Sequence, residues 1–291
     1  MVISGSVRGS DIMLKCRNIS QSYGFIRPVN VLNNITFSLE KGKCIGIIGP
    51  NGAGKTTLLK TISGIIKKNG GEIDIAGKIS YMPELSAIYN YLTARETLEF
   101  FRDISGGSGN ISECLEKVGL NEVEDHLSYT FSKGMKRRLN LAMLLVAEPD
   151  IMLLDEPFEG LDHLSSLELT RIINSMKQEG ISLIVSSHEL RRLDQIADLT
   201  LVLRHGSVLG QIDATNYNAF SIEFSSPLDK VERECHSLGL VANLENFPKV
   251  VVSGADSPQN LIKMLVQSGL EFASVRKISL EDIYSEEYGN D

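Results

Sequence analysis

Hydrophobic residues recur along this chain first at strand period, then at helix period, then at strand period again. Leu14 to Ile19, Ile35 to Leu39 and Lys43 to Ile48 read as strands, with Lys41-Gly42 as the turn between the last two. Gly71-Glu-Ile-Asp-Ile-Ala-Gly77 alternates apolar and polar positions, and Lys78 to Met82 follows as a further strand. From about Leu85 to Ala142 the spacing is helical. Thr93-Ala-Arg-Glu96 forms a capping box that opens a helix carrying Leu98, Phe100 and Phe101. Ser105 to Asn110 is a Gly/Ser loop, and Ile111 to Val118 a second helix. The apolar run Ile151 to Leu154 suits an interior parallel strand, as does the run entering Ile184-Val185. Leu190 to Ala197 reads as a helix, and Asp198–Leu203 with Ser207–Ile212 as a hairpin about His205-Gly206.

Beyond residue 212 the pattern changes. Ala219 to Phe224, Val241 to Leu244, Lys249 to Ser253 and Phe272 to Ile278 have strand character. Leu228 to Leu238 and Leu261 to Ser268 have helical spacing. The order β-α-β-β-α-β predicts a small ferredoxin-like α+β domain over 213–291. No catalytic cluster falls in it, so it reads as a regulatory or dimerisation element or as a structural cap. Residues 1–12 are short, polar and Gly/Ser-rich, a tail or cloning remnant ahead of Met13, and they lack the apolar core of a signal peptide.

Composition narrows the classes. A chain of 291 residues, 42% hydrophobic, makes one large or two modest domains with an ample core. A net charge of −8 offers no basic field for nucleic acid or acidic lipid, so no nucleic-acid partner is expected. Cys16, Cys44, Cys114 and Cys235 are scattered without a C-x-x-C pair, as reduced thiols of a cytoplasmic protein would be. No apolar run approaches the roughly 18 residues a membrane span needs.

The chemistry concentrates at Gly49-Pro50-Asn51-Gly52-Ala53-Gly54-Lys55-Thr56-Thr57, directly after the strand ending at Ile48. This is G-x-x-x-x-G-K-[ST] between a strand and a helix, where converging backbone N–H groups cradle a triphosphate. The helix starting near Lys55 adds its positive end. Lys55 supplies a cation for the β- and γ-phosphates and Thr56 a hydroxyl for magnesium. Asp155 and Glu156 end the strand from Asp150, where ligands of parallel sheets bind. Asp155 is suited to hold the metal, directly or through water, and Glu156 to take a proton from an attacking water. A helix N-cap acid is the competing reading of that pair, and the phosphate loop displaces it. Ser132 and Gly134, ahead of the basic Lys136-Arg137-Arg138, make a second phosphate-binding design, although a capped helix has the same appearance.

At this point the chain resembles the ATP-binding-cassette family, over residues from about 13 to 212. The family's signature Leu-Ser-Gly-Gly-Gln stands where this chain has Phe131-Ser132-Lys133-Gly134-Met135, which keeps Ser132 and Gly134. Tyr23, in Ser20-Gln-Ser-Tyr-Gly24, matches the aromatic residue that stacks on adenine, and Gly160-Leu-Asp162 the loop that crosses the dimer interface. His188 matches the switch histidine that contacts the γ-phosphate and orients water. Glu84 occupies the place of a metal-contacting Gln. The resemblance implies an α/β P-loop ATPase core with a mixed sheet and a helical subdomain over about 85–142, using ATP and magnesium. The catalytic residues are then Glu156, His188 and Lys55, the metal ligands Thr56, Glu84 and Asp155, and the nucleotide-binding residues Tyr23, Gly49 to Thr57, Ser132 and Gly134.

It further implies a head-to-tail pair of copies on a separate membrane permease, most like an exporter, with the chain at the inner face of the membrane. A soluble cassette ATPase without a permease, or a weakly hydrolysing regulatory module, is the alternative. Tyr89, Tyr91 and Phe101 are candidates for the permease-docking groove or for packing within the helical subdomain. A contiguous exposed aromatic patch beside Glu84 would favour docking. The tail Ser279 to Tyr284 resembles the closing segment of exporter-type members.

Overall fold

The computed structural model describes residues 11–24, 28–85, 88–213, 219–255 and 257–288, apart from the side chains of 286 and 287. The chain divides into two compact units, Met1–Gln211 and Ile212–Asp291. Most of the tail expected at 1–12 lies outside the described residues.

In the first unit β1 (Ile12–Tyr23), β2 (Val29–Glu40) and β4 (Gly70–Ile75) form an antiparallel sheet in the order β2-β1-β4. A second, six-stranded sheet has the order β5-β6-β7-β3-β8-β9. It comprises β3 (Cys44–Ile48), β5 (Ile79–Met82), β6 (Ile151–Asp155), β7 (Ser182–Ser186), β8 (Leu199–Arg204) and β9 (Ser207–Asp213). β5, β6, β7, β3 and β8 pair in parallel. β3, β6 and β7 are buried at every position, which is why they read as unbroken apolar runs rather than alternating ones.

One core joins the two sheets. Leu14, Ile19, Ile35 and Leu39 from the antiparallel sheet meet Ile47, Leu153 and Ile184 from the parallel one. Leu58, Leu59 and Ile62 of α1 (Lys55–Ile62) share that core and fix the helix that follows the phosphate loop. Each such side chain, fully buried, contributes about 1.5–3 kcal/mol. The helical stretch contains α2 (Ala94–Ser105), α3 (Ile111–Lys117) and α4 (Lys133–Leu145). The capping box forms as read, with the Thr93 hydroxyl accepting from Glu96 N–H and the Glu96 carboxylate accepting from Thr93 N–H.

Among the elements that differ from the sequence reading are two helices. α5 (His163–Gln178), 16 residues long, was not anticipated. Its buried Leu169, Ile173 and Met176 have helical spacing, and Asp162 caps it. The helix expected over Leu190–Ala197 is shorter, α6 (Leu190–Leu193). After it, tight bonds from Gln195 N–H to Arg192 O and from Ile196 N–H to Leu193 O turn the chain. Asp198 then accepts from Cys44 N–H at 2.8 Å and ties the turn to β3.

The second unit is a four-stranded antiparallel sheet in the order β11-β12-β10-β13. Its elements run β10 (Ala219–Phe224), α7 (Leu228–Ser237), β11 (Val241–Asn243), β12 (Lys249–Ser253), α8 (Pro258–Gln267) and β13 (Phe272–Lys277), then α9 (Leu280–Tyr288). Chain order and strand order together are those of a ferredoxin-like sheet. Phe220, Ile222, Val250 and Val252 pack with Val231, Cys235, Leu261 and Leu265 into its own core.

Candidate nucleotide site

The phosphate loop begins where β3, in the interior of the parallel sheet, runs out. A Cβ on Gly49 would stand 2.1 Å from the Leu203 carbonyl oxygen, so no side chain fits there. Gly54 caps α1 with φ +107°, a conformation glycine adopts without strain. Lys55 is buried, and its ammonium folds back to donate to the Gly49 carbonyl at 2.9 Å. In this state the cation braces the loop that would carry the phosphates.

Asp155 and Glu156, both buried, stand at the end of β6. Asp155 is fully buried, accepting from Ser186 Oγ at 2.7 Å and from Tyr81 OH at 3.1 Å. Burial first, and then the charge of Asp155, push the Tyr81 phenol pKa up, so it remains a donor. Glu156 has φ +44°, a left-handed conformation that costs a residue with a side chain about 1–3 kcal/mol. Its N–H donates to Ser186 Oγ at 3.0 Å, which helps hold that turn. The Glu156 carboxylate lies 3.5 Å from Lys55 Nζ. Its other oxygen receives His188 N–H at 3.2 Å and faces His188 Nδ1 at 3.0 Å. His188 Nε2 in turn lies 3.4 Å from a carboxylate oxygen of Glu159.

These groups border an open cleft of about 840 Å³. Gly49 to Thr57, Tyr23, Glu84, Glu156 and His188 all line it, together with Val31 and Glu159. Tyr23 is 42% exposed where it borders the cleft. Ser132 and Gly134 do not line this cleft. Ser132 caps α4, accepting from Met135 N–H at 3.2 Å, and a Cβ on Gly134 would stand 2.5 Å from Ser165 Oγ. Within one chain the close approach that Gly134 permits is therefore α4 against α5.

Tyr81, Ser186 and Glu159 were absent from the sequence reading. Tyr81 and Ser186 sit at strand ends beside recognised residues, and Glu159 lies three residues past Glu156, so position was the available signal. The Glu84 carbonyl accepts from the Arg137 guanidinium at 2.9 Å, tying the Glu84 segment to α4. Burial holds the Arg137 pKa below its usual value, opposed by the Glu84 carboxylate. Of the aromatic candidates, Tyr91 and Tyr89 are exposed, and they line an apolar hollow of about 560 Å³ with Ile88, Leu92 and Phe100. Phe101 does not line it. Phe100, edge-on to Tyr89 at 5.3 Å between ring centres, takes that place.

The donors available for magnesium are all oxygens. The Thr56 hydroxyl and Glu84 carboxylate open on the cleft, whereas the Asp155 carboxylate, at the end of β6, is fully buried against Ser186 and Tyr81 and does not border it. Such hard donors suit a magnesium ion that keeps several waters and the phosphates as its other ligands.

A family model described as ABC transporter matches residues 32–159. The uncharacterized ABC transporter ATP-binding protein YcbN of Bacillus subtilis is 32% identical over 280 residues, 87% of this chain and 91% of its own length. The lantibiotic transport ATP-binding protein SrtF of Streptococcus pyogenes is 36% identical over 207 residues, 68% of this chain and 89% of its own. Among solved structures, an ATP-binding subunit of an ABC transporter matches with a TM-score of 0.61 at 26% identity, over 88% of this chain and 99% of that one. With its phosphate loop and paired carboxylates bordering or flanking the cleft, this chain belongs to the ATP-binding proteins of the ABC transporter family and is an ATPase.

Proposed function

We propose that the chain energises a membrane exporter, as two copies bound head to tail on a separate permease. The observation that carries this reading is the division of phosphate-binding groups within one chain. Gly49 to Thr57 border the cleft, while Ser132 and Gly134 do not. A second copy brings its Ser132 and Gly134 to face the first copy's cleft, and closing the pair completes two sites.

In each site Tyr23 stacks on adenine, and the loop N–H groups and α1 N-terminus bind the phosphates. Lys55 leaves the Gly49 carbonyl for the γ-phosphate. Thr56, Asp155 and Glu84 would hold magnesium, which supplies charge neutralisation on the phosphate oxygens. Glu156 accepts the proton of the attacking water, and His188 fixes its geometry. Phosphoryl transfer of this kind depends on positioning and charge stabilisation more than on covalent chemistry. The permease docks at the hollow of Tyr89, Tyr91 and Phe100. The permease holds the chain at the inner membrane face; no helix among the described residues is long and apolar enough to cross a membrane. SrtF, named for lantibiotic transport, supports the transport reading.

Mixing two inactive chains tests the shared site. A Lys55→Ala chain and a Ser132→Arg chain, each inert alone, contribute one intact site when paired, so turnover returns on mixing. A mixture as inert as its components would contradict the two-copy arrangement.

A further inference from the structure

We propose that Glu159 is a positioning residue for the ATPase reaction, holding the His188 ring against Glu156. The inference rests on the role proposed above for His188. His188 is 51% exposed at its side chain, so one contact would leave the imidazole free to turn toward solvent. It has two, at opposite ring edges: Glu156 Oε2 faces Nδ1 at 3.0 Å and Glu159 Oε2 faces Nε2 at 3.4 Å. With a proton on each ring nitrogen the imidazole donates to both carboxylates, and together they define the direction of the ring plane.

The backbone that carries the second carboxylate is fixed locally. Glu159 N–H donates to the Glu156 carbonyl at 3.2 Å, and Leu161 N–H donates to the Phe158 carbonyl at 3.1 Å. Phe158, 1% exposed, anchors the turn between them. The chain thus folds back so that residues 156 and 159 present their carboxylates to the same ring. Glu159 borders the nucleotide cleft as well, so its charge acts where His188 does its work.

Steady-state turnover and ring NMR of the full chain test this. Glu159→Ala is expected to lower kcat on the order of tenfold while KM for ATP stays within about twofold, the pattern of a misoriented catalytic group. Glu159→Gln, whose amide oxygen still faces Nε2, should recover most of the rate. In the nucleotide-free chain the ¹⁵N resonances of the His188 ring should move in Glu159→Ala and stay near wild type in Glu159→Gln. Unmoved ring resonances in Glu159→Ala, an unchanged kcat, or a loss carried by KM alone would overturn the proposal. His188→Ala turning over ATP at the wild-type rate would instead overturn the role given to His188, while the His188 ring resonances of Glu159→Ala would still report the Glu159 contact.

Discussion

His188 and Glu156 are joined twice, since both the backbone N–H and the ring Nδ1 of His188 reach the same Glu156 oxygen, at 3.2 and 3.0 Å. The strand ends of β6 and β7 are thereby locked to each other at the cleft. Glu156 also faces Lys55 at 3.5 Å, so one carboxylate sits between the phosphate-loop cation and the histidine.

Gly134 offers a test of packing against ligand contact. Gly134→Ala places a methyl group 2.5 Å from Ser165 Oγ and 2.8 Å from its Cβ. Overpacking of this kind costs about 1–3 kcal/mol. Denaturant unfolding should show that loss, and adding Ser165→Gly should return part of it. A Gly134→Ala chain of wild-type stability would show that α4 and α5 separate without cost.

Glu84 tests the electrostatics of the cleft. It is exposed and lines the nucleotide cleft, so water screens its charge, and repulsion of a γ-phosphate about 4 Å away is worth about 1 kcal/mol. Glu84→Gln should bind ATP several-fold more tightly in the absence of magnesium and gain less from adding it. Calorimetric titrations with and without the metal measure this, and an unchanged magnesium dependence would remove Glu84 from the metal site.

In the second unit, Arg276 grips both oxygens of Asp282, at 2.6 and 2.8 Å, and Ser279 N–H adds a third donor at 3.0 Å. The Arg276 hydrogen bonds, the largest cause, hold the Asp282 carboxyl well below the usual range. A depressed carboxylate stabilises the fold fully above its unfolded value, near 3.9, and that stability is lost as pH falls through the lower folded value. Arg276→Gln should therefore move the acid-induced loss of amide protection in β10 and β13 to higher pH. An acid transition at the wild-type pH would show that the pair contributes nothing to the unit.

The sequence disclosed what is local and missed what is assembled. Gly49 to Thr57 and Asp155-Glu156 were legible because phosphate binding needs those residue types in one unbroken stretch. The contacts of Tyr81 and Ser186 with Asp155 were not, since they bring together three strands separated by 31 and 74 positions. α5 escaped because Asp162 had been assigned to an interface loop, although the same residue starts a helix by accepting from Ser165 N–H at 2.9 Å. Phe100 and Phe101 are adjacent on α2, and only the helix phase decides that Phe100 reaches the apolar hollow.

Whether two copies share two sites is read from the size of the purified Glu156→Gln chain, measured by light scattering on a sizing column with and without magnesium and ATP. The substitution removes the group that accepts the proton from water while leaving the phosphate loop intact, so bound ATP should persist. The chain should be a monomer without nucleotide and a dimer with it. A chain that stays monomeric with ATP bound, while the wild type turns over ATP as a monomer, would contradict the two-copy arrangement.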